Sequence, residues 1–99
     1  MFLEKTFFVY IMTNTYNTVI YVGFSGQINE RIHQHKKKYS KGFANKYNLN
    51  KIVYYEKFEY AMEAIKREKQ IKKWNREWKI NLIKDFNPNW DDLSHFLKE

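Results

Sequence analysis

The chain has no cysteine, a single proline and three glycines in 99 residues. Without cysteine there is no disulfide framework and no thiolate metal site. No apolar run approaches the roughly 20 residues that a membrane-spanning helix needs. No signal peptide precedes the first strand pattern, so a cytoplasmic, soluble protein is expected. No repeat or low-complexity segment breaks the pattern. A chain this short holds one compact core and not two, so residues 1–99 read as one domain.

Aromatics are plentiful. Eight Tyr, eight Phe and three Trp make up 19% of the residues within a hydrophobic total of 43%, enough for a packed core. Acids are outnumbered, 11 against 18 Lys and Arg, for a formal charge of +7. The excess is concentrated. Arg31, Lys36, Lys37, Lys38 and Lys41 follow one another with no acid among them. Lys66, Arg67, Lys69, Lys72, Lys73, Arg76 and Lys79 face only Glu68 and Glu77, and residues 84–99 are acidic on balance. A focused positive field favours a polyanion, most simply nucleic acid. The plainer alternative is a solvated lysine face kept for solubility.

Phe7 to Met12 carries β-branched and aromatic residues on both faces and reads as a strand buried on both sides or nearly so. A turn at residues 13–17 leads to a second strand, Thr18 to Phe24. A hairpin centred between Thr15 and Tyr16 places Tyr10 directly opposite Tyr21, with Cβ atoms about 5 Å apart. Ser25 is an N-cap candidate for a helix from about Gln27 to Lys38. Its inward stripe holds Ile28, Arg31, Ile32 and His35, and two of these are polar. Residues 39–50 form a basic, aromatic connection of a length often put to functional use.

Lys51 to Glu59 reads as a third strand, and a helix follows from about Tyr60 to Trp74. Glu68 falls in the middle of its apolar face, where a carboxylate needs a partner or a task. Pairing with Arg31 would supply the first, a metal ion the second. Asn75 interrupts the helical run before a further helix from Glu77 to Phe86, with Trp78, Leu82 and Ile83 inward and Pro88 beyond its end. The tryptophans read as core and helix-packing residues rather than base-stacking platforms. A last helix, Asp91 to Leu97, turns Leu93, Phe96 and Leu97 inward and leaves His95 on the surface.

Phe8-Val9-Tyr10, Tyr21-Val22-Gly23, Arg31, His35 and Glu68 in this order resemble the GIY-YIG nuclease superfamily, in particular its small single-domain bacterial members and the N-terminal domain of the excision-repair incision subunit. The first motif keeps its tyrosine and departs from Gly-Ile at two positions, and the second is close to Tyr-Ile-Gly. The run from Arg67 to Trp74 is typical of the small members. The resemblance spans nearly the whole chain and implies an α+β fold, a three-stranded antiparallel sheet flanked by helices. It also implies an endonuclease that uses one divalent metal ion, Mg²⁺ or Mn²⁺.

The residue types suit that chemistry. Tyr10 or Tyr21 would take a proton from water if its pKa fell from about 10, and His35 is the more ordinary base. Arg31 would hold the non-bridging phosphate oxygens. Glu68 would anchor Mg²⁺, which keeps most of its waters. Gly23 would permit close approach at the end of its strand. Lys36, Lys37, Lys38, Lys41, Lys69, Lys72 and Lys73 would meet the backbone of nucleic acid, most simply DNA. Relatives carry an asparagine after the glutamate, for which Asn75 and Asn81 are both candidates. Two alternatives stand beside the nuclease: a nucleic-acid binding module with weak or no catalysis, and a protein-interaction domain with an acidic partner. The chain is expected to be a monomer or a weak homodimer.

Overall fold

The computed structural model describes residues 6–28 and 48–97. Three strands form one antiparallel sheet: β1 (Phe7–Thr13), β2 (Ile20–Ser25) and β3 (Lys51–Phe58), in the order β2-β1-β3. Two helices follow, α1 (Ala61–Lys73) and α2 (Arg76–Phe86), and then a short 3-10 helix, Ser94–Leu97. This is the expected α+β architecture.

The continuous apolar run of β1 places it at the centre. It is paired on both edges and covered on both faces. Phe8, Tyr10 and Met12 pack with Ile28, Leu49, Ile52 and Leu97 on one face. Val9 and Ile11 pack with Val22, Val53 and Tyr54 on the other, beneath Ala64 and Ile71 of α1 and Ile83 of α2. Phe8, Val9, Ile11 and Met12 are each no more than 1% exposed, so each contributes about 1.5–3 kcal/mol of burial.

The hairpin register differs from the sequence reading by two residues. Tyr10 stands opposite Gly23, and Tyr21 stands opposite Met12. The cause is the turn. The Asn14 side-chain oxygen accepts from the backbone N–H of Thr18 at 2.8 Å and of Val19 at 3.2 Å. Its amide donates to the Thr18 hydroxyl at 2.7 Å, and Asn17 closes the loop with φ 58°. An asparagine that satisfies several groups of the loop moves the turn toward the second strand. The bulge lies in the other pair instead. The β1–β3 register shifts between Ile11 and Met12, so Val53 and Tyr54 both join the helix-side core.

Helix ends follow the sequence closely. The Trp74 N–H bonds back to the Ile71 carbonyl at 3.0 Å and ends α1. The Asn75 side chain accepts from the Trp78 N–H at 2.9 Å and starts α2. Asn87, buried after α2, donates to the Val53 carbonyl at 3.1 Å and exchanges bonds with Asp91. Leu93 N–H reaches the Ile52 carbonyl at 2.7 Å, and the Asp92 carboxylate accepts from Ile52 N–H at 3.2 Å. The chain after α2 thus covers the outer edge of β3. Only Ser94–Leu97 of this segment is helical, and Phe96 is exposed rather than inward. Backbone bonds to β3 compete with a regular helix there.

Candidate functional site

Tyr10 sits at the middle of the central strand and is 1% exposed. Its ring lies over Gly23. A Cβ at that glycine would stand 2.5 Å from the ring Cζ, 2.6 Å from the hydroxyl and 2.9 Å from Cε1. Gly23 therefore serves space rather than backbone conformation: it makes room for the side chain of the first motif, not for an approaching backbone. Tyr21 is on the same face and is only half-buried, packed against the cluster that holds Tyr10. With Tyr10 opposite Gly23, the two tyrosines are diagonal neighbours, about 7–8 Å apart rather than face to face. Among the described residues, Tyr21 is the more exposed of the pair.

Glu68 lies between Ala64 and Ile71 on the inward stripe of α1. Its side chain is 17% exposed, and its carboxylate is 3.1 Å from the Lys72 ammonium one turn on. Lys72 is thus a partner of Glu68 here. Lys69 and Lys73 are exposed. Arg31, His35, Lys36, Lys37, Lys38 and Lys41 lie outside the described residues. Asn75 is occupied as the cap of α2, whereas Asn81 lines an open groove with Trp74 and Trp78.

A network that pattern reading missed fixes how α1 is rolled on the sheet. Glu56 of β3 accepts from Arg67 Nε at 3.1 and 3.0 Å and from its Nη2 at 3.0 Å. The Tyr54 hydroxyl donates to the same carboxylate. Arg67 also donates to Gln70 at 2.7 Å and lies 5.2 Å from the centre of the Trp74 ring. The spacing of Arg67, Gln70 and Trp74 on one flank was the available signal. At about 100° per residue, Arg67 and Glu68 fall on opposite flanks of the inward stripe. Arg67 reaches to β3, so Glu68 is turned away from β3.

Burial, with the hydrogen bond and charge of Glu56, pushes the Tyr54 hydroxyl well above the ordinary tyrosine range, and Arg67 pulls less strongly the other way. The sign follows. The unfolded chain loses this proton near pH ~10 while the fold retains it. The contribution of this group to stability is therefore constant below pH ~10 and is lost as pH rises beyond it. Urea midpoints at about pH 9 and about pH 11 should show that loss, and Tyr54→Phe should flatten it.

The tyrosines and Glu68 thus stand on two sides of a one-layer sheet. Among the described strands β2 is an edge strand, and the two faces of the sheet adjoin along it. Among the described residues no group of three or more His, Cys, Asp or Glu could hold a metal ion. Glu68 as a lone carboxylate fits Mg²⁺, for which water supplies the remaining ligands. Its mostly buried carboxylate is balanced by a Lys72 ammonium that is half-exposed and free to swing into solvent.

Comparison with known proteins shows the family and the fold. The family model described as the GIY-YIG catalytic domain matches residues 6–81. A UPF0213 protein of Staphylococcus aureus strain Mu3 is 32% identical over 78 residues, 79% of this chain and 94% of its own. The UPF0213 protein SAV0488 of strain Mu50 matches to the same extent, 32% over 78 residues. The solution NMR structure of the UPF0213 protein BH0048 from Bacillus halodurans shares the fold, with a TM-score of 0.56 at 21% identity, covering 88% of this chain and 92% of that one. The motif tyrosines, the glycine beneath Tyr10 and the matched span have one reading: this chain belongs to the GIY-YIG catalytic-domain family, a nuclease family, alongside the small UPF0213 proteins.

Proposed function

We propose that this protein is a divalent-metal-dependent endonuclease that hydrolyses phosphodiester bonds in DNA, selecting structure rather than sequence, as a repair nuclease would. The observation that carries the reading is the presence of two elements in one small fold. A tyrosine pair is set in the sheet by Gly23, and a mostly buried carboxylate on α1 is turned away from β3. The departures of the first motif do not weaken it. Phe8 and Val9 are buried on opposite faces, so they alter packing and leave Tyr10 in place.

Each residue has a task in this reading. Tyr21, the more open of the two, orients the attacking water and receives its proton directly or through His35. Tyr10, held over Gly23, fixes the sheet face on which Tyr21 stands. Arg31 holds the non-bridging oxygens as charge grows on them. Glu68 holds the cation, and the cation when bound neutralises the phosphate and eases departure of the leaving oxygen. The exposed Lys69 and Lys73 bind the strand backbone. Residues 1–99 acting as one domain, as a monomer or weak homodimer in the cytoplasm, complete the proposal. Among the described residues no helix is long and apolar enough to cross a membrane.

The test is cleavage of labelled supercoiled plasmid, single strand, flap and branched junction, with Mg²⁺, Mn²⁺ or chelator. Metal-dependent cutting by the wild type and none by Glu68→Ala is the expected result. Salt-sensitive binding by both proteins with cutting by neither would establish the binding-module alternative instead. A further outcome concerns the lysines: the Lys69→Ala/Lys73→Ala double variant should lower the slope of log affinity against log salt by about two. An unchanged slope would place the strand elsewhere.

A further inference from the structure

Trp78 contradicts its reading as a core residue. It is 57% exposed. Its ring meets Trp74 edge to face at 5.8 Å. The two tryptophans, with Leu82, Asn81 and Asp85, line an open groove of about 240 Å³ where α1 passes into α2. Among the described residues Ile83 supplies the fully buried contact of α2 with the core, so that contact does not depend on the Trp78 indole.

Charge says what the groove would hold. Lys66, Lys69 and Lys73 on the outer face of α1 and Arg76 at the start of α2 are exposed, and Lys73 and Arg76 flank Trp74 closely in sequence. They attract a phosphate backbone. Among the described residues that line the groove the one charged side chain is Asp85, whose carboxylate repels phosphate and accepts from an exocyclic amino group. Asn81 adds a donor and an acceptor. A flat, aromatic ligand with N–H groups on its edge, attached to a polyanion, meets every one of these features. An apolar peptide side chain would use the rings and Leu82 and leave Asp85 and the lysines without a role.

We infer that the Trp74–Trp78 groove is a stacking subsite for one unpaired nucleobase of a single-stranded nucleic acid. The inference rests on the nucleic-acid reading above and adds a contact to it. The groove is separate from the proposed catalytic site. Trp74 lies six residues beyond Glu68, about 9 Å along the helix axis, and on the flank that carries Arg67. A base held there marks where an unpaired strand enters or leaves the site. Asp85 favours bases that carry an amino group over thymine. Arg67, stacked on Trp74, braces the indole.

The experiment measures binding of a short single-stranded oligodeoxynucleotide in chelator, so that no cutting occurs, at one fixed salt concentration. The same oligonucleotide with abasic positions is the second probe. The wild type should bind the intact strand with quenching of tryptophan emission. Trp78→Ala should bind about tenfold more weakly, within the range for loss of one stacked base, while Trp78→Phe keeps most of the affinity. Abasic substitution should weaken the wild type and have little further effect on Trp78→Ala. Asp85→Asn should reduce the preference for amino-bearing bases. Trp78 is exposed, so circular dichroism of the variants should match the wild type. Equal binding by wild type and Trp78→Ala, with equal sensitivity to abasic positions, overturns the subsite and leaves the nuclease reading standing. Absence of any salt-sensitive binding or cutting by the wild type defeats that reading and the subsite with it. A chain that self-associates through Trp78 in light scattering, without nucleic acid, would assign the groove to a second copy and overturn the inference.

Discussion

Glu68→Ala should reduce metal-dependent cleavage by about a thousandfold or more while leaving the fold as stable as before. The two halves of this result have different causes. The catalytic loss follows from removing a group that organises charge at the reacting phosphate, where a single electrostatic contact is worth about 10²–10³ in rate. Loss of a lone cation ligand should be at the upper end or beyond. The unchanged stability follows from local energetics. The Glu68–Lys72 pair joins a mostly buried carboxylate to an ammonium that is half-exposed. Removing the buried member leaves only the half-exposed Lys72, which water solvates, so no buried charge is stranded and the expected loss is about 0–1 kcal/mol. Against that loss, alanine is the better helix former, and removing a carboxylate from the inward face relieves its desolvation.

If Glu68→Ala is as stable as expected, this carboxylate on a buried stripe is retained for something other than folding. Cleavage and thermal unfolding measured on the same preparations check both halves. Glu68→Gln separates charge from shape: it keeps the volume and should be nearly as inactive as alanine. If either variant loses activity only in step with its melting temperature, Glu68 is a structural residue and the cation lies elsewhere. Activity equal to wild type in a fully folded Glu68→Ala would remove it from the site altogether.

How far the sequence shows this arrangement depends on the range of each interaction. The central place of β1 is legible because every residue from Phe7 to Met12 is apolar, and only a strand covered on both faces tolerates that. Glu68 is legible because its wheel position conflicts with its charge. Asn75 as a boundary is legible through its capping chemistry. The register of the hairpin is less so. Pairing Tyr10 with Tyr21 assumed a turn centred on the loop, and Asn14 recentred it by collecting the Thr18 and Val19 amides. The shift is by two residues, so the facing is preserved while the partner changes.

Trp78 was misread for a related reason. Its spacing to Leu82 suits an inward stripe, but α2 buries only Ile83 fully and leaves the indole outside. The Glu56–Arg67 pair, 11 residues apart across a strand and a helix, has no periodic signature linking its two members, although Arg67, Gln70 and Trp74 share a flank of α1. It emerges only when α1 is laid on the sheet, and it decides which way Glu68 looks.

Gly23→Ala should destabilise the protein by about 3 kcal/mol, the upper part of the range for forcing an atom into a packed interior. For a chain of this size that is a fall in melting temperature on the order of 15 °C. The new Cβ would stand 2.5 Å from Cζ of Tyr10 and 2.6 Å from its hydroxyl. A flexible surface side chain would swing aside. Tyr10 cannot, because it is 1% exposed and enclosed by Phe8, Met12, Ile28, Leu49, Ile52 and Leu97. The clash involves ring carbons, so Tyr10→Phe, which removes only the oxygen, should not rescue Gly23→Ala. Tyr10→Ala should. That variant alone leaves a cavity costing about 3–5 kcal/mol, but the Cβ of the double variant partly fills it. The double variant should be more stable than the sum of the single losses by about 1–3 kcal/mol. Such coupling would show that the tyrosine of the first motif and the glycine of the second are one structural unit, read as two motifs only because the chain turns between them. Additive losses would show that the ring yields to the methyl group, and Gly23 would then need another explanation. Cleavage should follow the ring: Gly23→Ala displaces Tyr10 and the face it shares with Tyr21, so activity should drop even at temperatures where the variant is folded.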